Sequence, residues 1–251
     1  MVARVVGGVL AVAAAGFAVL SCNHRHHHKR IPYHWDGDVV CSRGVDDKDG
    51  SLRWTQIEQD MADAEQYGWA VLYHAHTPGD SVTRATIEHL FDLADKHHLQ
   101  YATFRELAPW APPRAVIAFA LDDSHVDAWM TIRDIVRAHH ARITLFVSEW
   151  YALGDQQLAE LGELAADGDD IEPHTVHHVY APEYVRHHGL GAYVLDEVLP
   201  SFAPIVAAGY PKPAAFAYPF GDHTPELDGA VIGATGVNTV RTNTRECPCE
   251  D

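Results

Sequence analysis

Residues 115–123 read Ala-Val-Ile-Ala-Phe-Ala-Leu-Asp-Asp, a continuous apolar run that ends in two adjacent carboxylates. Seven apolar residues with β-branched and aromatic members are typical of a strand that is buried on both faces, as in a parallel sheet. Neighbouring side chains on an extended backbone point apart, so Asp122 and Asp123 can differ in role. One can bind a cation while the other faces a substrate as a base. A solvated turn that caps a helix is the alternative interpretation of this segment alone.

Similar short runs alternate with amphipathic helices along the chain. We predict strands over 69–73, 100–104, 115–121, 143–147, 214–218 and 238–241. We predict helices over 126–138, 156–166, 192–208 and 225–234, and two more from the apolar spacing within 54–64 and 87–94. Repeated β-α units predict one α/β domain with a parallel sheet, either a barrel or an open wound sheet. In a barrel, the active groups lie at the carboxyl ends of the strands.

The composition limits the possible partners. The chain has 251 residues, of which 47% are hydrophobic, enough for one large domain. Eighteen Lys and Arg against 35 Asp and Glu give a formal net charge of −17, so we expect no nucleic-acid partner. Histidine, with 19 residues, outnumbers Lys and Arg together and supplies many potential metal ligands.

A second group of candidate ligands follows a short predicted strand that ends near Glu172. Residues 174–178 read His-Thr-Val-His-His. On one helical turn, the rings of His174 and His178 would face the same way. With one carboxylate they form a His2Asp set that leaves coordination positions for water and a substrate oxygen, which is the pattern of a catalytic zinc site. His177 is an alternative to either ring.

A third segment, residues 216–222, reads Phe-Ala-Tyr-Pro-Phe-Gly-Asp and predicts a strand that runs into a turn. Such a turn can direct a backbone N–H at a developing oxyanion, although an ordinary strand-ending turn has the same pattern. Together the three segments resemble the motifs of polysaccharide deacetylases, carbohydrate esterase family 4. Residues 121–124 resemble the Thr-Phe-Asp-Asp-Gly motif, 174–178 match the His-[Ser/Thr]-x-x-His motif, and 218–221 resemble the third motif.

The order of a further motif is unusual. Val71-Leu-Tyr-His74 resembles the Leu-x-His motif that closes the domain in most members of the family, yet it precedes Asp122 in this chain. The poly-N-acetylglucosamine deacetylase branch has the same order. The resemblance therefore implies a distorted (β/α) barrel of seven or eight strands that is circularly permuted. The fourth, Asp-Trp-like motif is matched only loosely, by residues 39–47 and Trp54.

The resemblance implies a role for each matched residue. Asp123, His174 and His178 would hold a divalent metal ion, Zn²⁺ as the first choice and Co²⁺ or Ni²⁺ as alternatives. Asp122 would take a proton from the attacking water. The metal and the backbone N–H of Phe220 would stabilise the oxyanion and thereby bind the substrate.

The remaining candidate residues would protonate the departing amine or line the substrate-binding site. His74 would protonate the amine, and His76 is the competing candidate. Leu72, Trp54 and Tyr218 are candidates for an apolar wall around the acetyl methyl group or a sugar face, and each is equally consistent with an ordinary core position.

Two departures from the family pattern affect the functional prediction. Ser124 replaces the motif glycine, and Ala217 replaces the arginine that orients the base in many members, a task for which Arg241 is a candidate. We expect a metal-dependent hydrolase that removes N-acetyl groups from a cell-envelope or extracellular polysaccharide. The alternatives are a non-catalytic glycan-binding domain with a deacetylase-like fold and a periplasmic metal-binding lipoprotein.

The amino-terminal segment resembles a bacterial export signal. An uncharged apolar run over residues 5–20 follows Arg4, and Val19-Leu-Ser-Cys22 resembles a lipobox. We therefore predict a lipoprotein signal peptide over 1–21, lipidation of Cys22, a His-rich tether over 22–36 and the deacetylase-like domain over 37–251. The protein would be an exported, membrane-anchored lipoprotein, at the periplasmic face of the outer membrane in a Gram-negative source. An uncleaved anchor and ordinary secretion are the alternatives.

Export also bears on the remaining cysteines. An oxidising compartment permits a disulfide, and Cys247 and Cys249 are too close in the chain to pair comfortably with each other. We expect Cys41 to pair with one of them. A permuted barrel would bring residues near 41 and 247 together where the barrel closes.

Overall fold

The computed structural model describes residues 38–48, 50, 52–107 and 114–243. Its strands are β1 (Val39–Gly44), β2 (Ala70–Ala75), β3 (Gln100–Tyr101), β4 (Val116–Asp123), β5 (Thr144–Val147), β6 (Asp170–Pro173), β7 (Ala215–Ala217) and β8 (Thr239–Asn243). Seven of them lie in the order β6-β5-β4-β2-β1-β8-β7, and β3 pairs with the first residues of β4. Every pairing is parallel.

The sheet curves into a nearly closed barrel, with β6 and β7 at its two ends. The Glu172 carboxylate of β6 bridges this seam, because it accepts hydrogen bonds from the backbone N–H groups of Ala214, at 3.0 Å, and Ala215, at 3.1 Å. Arg105 pairs with Glu172 at 2.9 Å and with Asp170 at 2.8 Å. The Glu172 side chain thus supplies hydrogen bonds where β6 and β7 do not pair as strands. The predicted distorted barrel of seven or eight strands is confirmed.

Helices cover the outside of the barrel. They are α1 (Trp54–Tyr67), α2 (Arg84–Lys96), α3 (Val126–Met130), α4 (Arg133–Ala138), α5 (Asp155–Asp167), α6 (Ala181–His188), α7 (Leu190–Tyr193), α8 (Leu199–Ala207) and α9 (Pro225–Thr235). The predicted apolar spacing of α1 and α2 is the buried stripe of each helix. Gly68 ends α1 in the left-handed region at φ 71°, and the Thr83 side chain caps the first turn of α2.

The core explains why β4 is apolar throughout. Residues 116–122 are all buried, and only Asp123 at the end of the strand is partly exposed. β2 lies on one side of β4 and β5 lies on the other, while side chains from the helices cover the outer face. The prediction that residues 115–121 form a strand buried on both faces is therefore confirmed, and Asp122 and Asp123 lie at the carboxyl end of the barrel.

Two predicted helices are interrupted. The helix predicted over 126–138 is two helices, because the Thr131 hydroxyl bonds to the carbonyl of Ala128 and Ile132 leaves helical geometry at ψ 2°. The helix predicted over 192–208 contains a π-helical turn, Val194–Val198, ahead of Pro200. Proline has no N–H to donate to the preceding turn, which favours such a local widening.

The cysteine and export predictions fall mostly on other parts of the chain. Cys41 in β1 is disulfide-bonded. Both predicted partners, Cys247 and Cys249, lie outside the described residues, and so do the predicted signal peptide, Cys22 and the tether. The pairing therefore remains a prediction.

Candidate active site

The two carboxylates at the end of β4 have different environments. The Asp122 side chain is buried, whereas the Asp123 side chain is 22% exposed. Asp123 has a φ of 86°, which is rare for a residue other than glycine. Its carbonyl accepts a hydrogen bond from Ser148 N at 2.9 Å, so the strand end is held in this conformation by the neighbouring loop. Strained backbone of this kind is concentrated at functional sites.

The three predicted metal ligands converge at this strand end. Nε2 of His178 lies 3.1 Å from Oδ1 of Asp123, and Nε2 of His174 lies 3.9 Å from the same oxygen. One ligand atom from each of the three residues lies within 4.8 Å of the other two. Two imidazole nitrogens and one carboxylate oxygen at these separations form a candidate metal centre with open coordination positions.

Hydrogen bonding shows that the donor atoms suit a cation. Nδ1 of His174 lies 2.8 Å from the carbonyl oxygen of Ala217. A carbonyl can only accept, so Nδ1 carries the proton and Nε2 presents its lone pair toward Asp123. Burial lowers the pKa of His174 to about 4, so the ring is neutral at pH 7. A neutral imidazole beside an ionised carboxylate is the state that a divalent metal requires, and the set N2O suits zinc.

The loop that carries these histidines is not the helical turn that the spacing predicted. Residues 174–180 form an irregular loop with bends at 176 and 177, and φ is 67° at Thr175 and 53° at His178. The Thr175 hydroxyl accepts a hydrogen bond from the backbone N–H of His178 at 3.1 Å. Two left-handed residues therefore bring the rings together, and the expected helical geometry was wrong.

His177 does not join the metal centre. Its Nδ1 lies 2.7 Å from the carboxylate of Glu197, and its backbone N–H donates to the same carboxylate at 2.9 Å. Glu197 belongs to the π-helical turn and is almost fully buried. The alternative in which His177 replaces either ligand is therefore not the observed arrangement, and Glu197 instead anchors the loop.

An arginine from the opposite side of the barrel fixes the predicted base. Nη2 of Arg241, in β8, lies 2.5 Å from Oδ2 of Asp122, and both side chains are at most 3% exposed. The guanidinium also lies over the ring of Phe146, 5.2 Å from its centroid. Arg241, the candidate for this task named from the sequence, thus orients the carboxylate of Asp122.

The same contact determines the charge of Asp122. Burial raises the pKa of this carboxyl, but Arg241 and the nearby imidazoles outweigh burial and hold the pKa well below its usual range. Asp122 is therefore ionised at neutral pH and can accept a proton. Its second oxygen, Oδ1, has no hydrogen-bond partner among the described residues, so it is available to a water molecule or a substrate.

Two histidines near the end of β2 have different partners. His74 is buried, and its Nδ1 lies 2.7 Å from the hydroxyl of Ser42. The side chain of His76 is 38% exposed, and its Nδ1 lies 2.5 Å from a carboxylate oxygen of Asp46. Both rings lie close enough to Asp122 for its charge to favour their protonated forms, although burial and Arg241 outweigh it at His74 and lower the pKa of that ring. Sequence reasoning did not pair either histidine with its partner.

The predicted substrate-binding residues divide into two groups. Leu72 and Tyr218 lie in the hydrophobic core, at no more than 1% exposure, and Trp54 packs edge-on against His89 of α2. The structure therefore gives these three residues packing contacts. Phe220 is 56% exposed, with φ 63°, and its ring lies 4.8 Å from the ring of His178.

Comparisons with known proteins identify the family and the fold of the chain. The family model described as polysaccharide deacetylase matches residues 111–240. No curated protein matches the chain. The solved structures that resemble it include IcaB from Ammonifex degensii, at 16% identity and a TM-score of 0.58 over 69% of this chain and 85% of that one.

Two further solved structures have the same fold. A polysaccharide deacetylase from Bacillus cereus is 16% identical, with a TM-score of 0.55 over 69% of this chain and 56% of that one. A de-N-acetylase from Aggregatibacter actinomycetemcomitans is 14% identical, with a TM-score of 0.52 over 72% of this chain and 97% of that one. At these identities the likeness concerns the fold, and the family model, which covers more than half of the chain, decides the family. The chain belongs to the polysaccharide deacetylase family, hydrolases that remove acetyl groups from polysaccharides.

Proposed function

We propose that this protein is a metal-dependent hydrolase that removes N-acetyl groups from a cell-envelope or extracellular polysaccharide, with Zn²⁺ as the first-choice ion. One observation carries the proposal: Asp123, His174 and His178 converge at the strand end that also carries the ionised base Asp122. The circularly permuted motif order is part of the proposal, since the strand with His74 precedes the strand with Asp122.

The mechanism assigns each step to a residue of the chain. When bound, a divalent ion polarises a carbonyl oxygen and makes water a better nucleophile at neutral pH. Asp122, held by Arg241, takes the proton of the attacking water through its free oxygen. The backbone N–H of Phe220 is proposed to donate to the oxyanion. A histidine at the end of β2 then protonates the departing amine, and the family motif assigns this task to His74.

Exposed aromatic side chains beside the metal centre support a glycan substrate. The ring of Phe220 lies next to that of Tyr180, and the two ring centroids are 6.1 Å apart. Tyr180 is 39% exposed. Amphipathic aromatic faces suit the apolar faces of sugar rings. The family implies an N-acetylated polysaccharide, and these rings offer a surface on which such a chain can lie.

Replacing the base tests the proposal. An Asp122→Asn variant should bind zinc with unchanged stoichiometry but release acetate from N-acetylglucosamine oligomers roughly 10²- to 10⁴-fold more slowly, because it cannot take the proton from water. The matched control is Asp127→Asn, an exposed residue of α3. Acetate release and metal content are measured on the same preparations. Full activity of Asp122→Asn would refute the base assignment, and zinc-loaded wild-type protein without acetate release would refute the function.

We further propose that the domain is exported and tethered to a membrane through lipid on Cys22. The support is the apolar run over 5–20 and the lipobox-like residues 19–22. Growth with an azide-bearing fatty acid should label the wild type and leave Cys22→Ser unlabelled. The serine variant should also leave the membrane fraction. An unlabelled wild type would contradict lipidation, and a labelled Cys22→Ser would place the lipid elsewhere.

A further inference from the structure

The two histidines at the end of β2 lie at different depths in the barrel. Ala75 of β2 pairs with Leu121 of β4, so the next residues, His76 and Asp122, follow at the same height. His74 lies two residues earlier, which is about 6–7 Å deeper along the strand. Residues two apart on a strand share a face, and the two rings lie 5.8 Å apart. His76 is therefore level with the base, and His74 lies beneath it.

His76 is held by a carboxylate. Asp46 bonds to Nδ1 of His76 at 2.5 Å, and its other oxygen accepts from the backbone N–H of His76 at 3.2 Å and from the Ser81 hydroxyl at 2.7 Å. The indole N–H of Trp129 donates to the carbonyl of His76 at 3.1 Å. Since Asp46 occupies Nδ1, Nε2 is the nitrogen left to carry a transferable proton.

Among the described residues, no carboxylate is hydrogen-bonded to His74. Its Nδ1 contacts the neutral hydroxyl of Ser42, which in turn lies 3.3 Å from Nη1 of Arg241. A cationic His74 would be buried near this guanidinium. Burial and Arg241 lower the pKa of His74 to about 3, so the ring is neutral at pH 7. A neutral imidazole in this position is a poor proton donor.

We propose that His76, oriented by Asp46, protonates the departing amine in place of His74. This inference rests on the proposed function. In the step, the C–N bond of the tetrahedral intermediate breaks and its electron pair passes to nitrogen. The nitrogen takes the proton from Nε2 of His76, and acetate and the free amine depart. His76 is then a neutral imidazole, which regains its proton from solvent. The partial exposure of His76 permits that return.

The charges around His76 are consistent with this role. Three carboxylates face it, Asp46 from the loop after β1 and Asp122 and Asp123 from the end of β4, while His74 beneath it is neutral. Burial lowers the pKa of His76, but the bond to Asp46 and the charges of the aspartates outweigh burial and raise the pKa to about 9. The ring is therefore cationic at neutral pH.

Substrates that differ only in their need for a proton test the proposal. N-acetylglucosamine oligomers have a poor amine leaving group, whereas 4-nitrophenyl acetate releases a phenolate that departs without protonation. In the zinc-loaded full chain, His76→Gln should lower kcat/KM for the oligomer by roughly 10²- to 10⁴-fold and for the aryl ester only a few-fold. His74→Gln should lower both by similar factors, and the exposed His125→Gln serves as the matched control.

A pH profile supplies a second measurement. The wild type should lose oligomer activity on the alkaline side as His76 deprotonates, and Asp46→Asn should move that limb to lower pH, because the bond to Asp46 raises the pKa of His76. Circular dichroism checks that each variant is folded. The assignment would be overturned if His74→Gln lost activity on the oligomer alone. It would also be overturned if His76→Gln lost activity equally on both substrates. A wild type inactive on both substrates would refute the proposed function, and this inference with it.

Discussion

At the scale of single residues, one buried guanidinium connects the parts of the site. Arg241 contacts the base Asp122 on one side and, through Ser42, the ring system of His74 on the other. It therefore stabilises the anionic form of the base and the neutral form of the deeper histidine. In a barrel these side chains come from β8, β4, β1 and β2, which lie around one mouth although they are far apart in the chain.

Removing this guanidinium should change the pH dependence of the reaction. Arg241→Met is expected to raise the pKa of Asp122, which Arg241 holds low. The base works only when ionised, so activity is lost as pH falls through its pKa, and the acid limb of kcat/KM should move to higher pH. At pH 7 we expect a roughly 10- to 100-fold loss. Acetate release measured from pH 4 to 9 checks this prediction.

Two further variants complete that experiment. Arg241→Lys keeps the positive charge but not the planar guanidinium with its several N–H donors. It should therefore lose less activity than Arg241→Met. Arg137→Met removes an exposed arginine of α4 and should leave the profile unchanged. An acid limb at the same pH in Arg241→Met and in the wild type would show that Arg241 does not control the base.

The sequence predicted the residues whose side-chain chemistry and motif spacing alone point to catalysis or metal binding. Two aspartates after a buried strand and two histidines at motif spacing identify Asp122, Asp123, His174 and His178 without a structure. Apart from Arg241, it did not predict the residues that position them. Asp46 and His76 are 30 positions apart, and His177 and Glu197 are 20 apart, so only the folded chain brings these partners into contact.

At the scale of secondary structure, the seam between β6 and β7 is the least regular part of the barrel. Here Glu172 replaces strand pairing with two hydrogen bonds from backbone N–H groups and an ion pair with Arg105. The seam lies next to the metal centre, because β6 runs directly into His174 and β7 supplies the carbonyl of Ala217 that fixes its ring.

Truncating this glutamate should destabilise the domain. Glu172→Ala leaves two backbone N–H groups without their acceptor and removes one of the two carboxylates that pair with Arg105, and we expect a loss of about 2–4 kcal/mol in the free energy of unfolding. Glu172→Gln retains one acceptor oxygen and should lose less. Glu88→Ala, on the exposed face of α2, is the control. Urea denaturation measures all four proteins, and equal stability of Glu172→Ala and the wild type would show that the seam does not depend on this bridge.

Long, uniform elements were predictable and their interruptions were not. The buried strand β4 and the helices α1 and α2 follow from apolar periodicity, since tertiary packing and local pattern agree there. The break after Thr131 and the irregular loop after His174 depend on single hydrogen bonds and on left-handed residues. Periodicity does not report such features, so the ligand spacing predicted the correct residues with the wrong local geometry.

At the scale of the whole molecule, metal binding should contribute to stability. A ligand that binds only the folded state at 100 times its Kd adds about 2.7 kcal/mol, which is roughly 5–10 °C in Tm for a domain of this size. We expect chelation to lower Tm by that amount and added zinc to restore it. The measurement is thermal unfolding followed by circular dichroism.

The ligand variants define what would contradict this expectation. His178→Ala removes one donor of the metal centre and should abolish most of the zinc-dependent rise in Tm, whereas Asp127→Ala should retain it. A full zinc-dependent rise in His178→Ala would place the stabilising ion somewhere other than the centre formed by Asp123, His174 and His178.

The direction of β1 has a consequence for how the enzyme meets a polymer. All strands of the described residues run the same way, so Val39 enters at the floor of the barrel while the proposed catalytic groups occupy its rim. Whatever precedes β1 is therefore joined to the side remote from catalysis. A tether at the amino-terminal side, as proposed for Cys22, would therefore join the barrel at the end opposite its rim and leave the rim open to a long glycan strand.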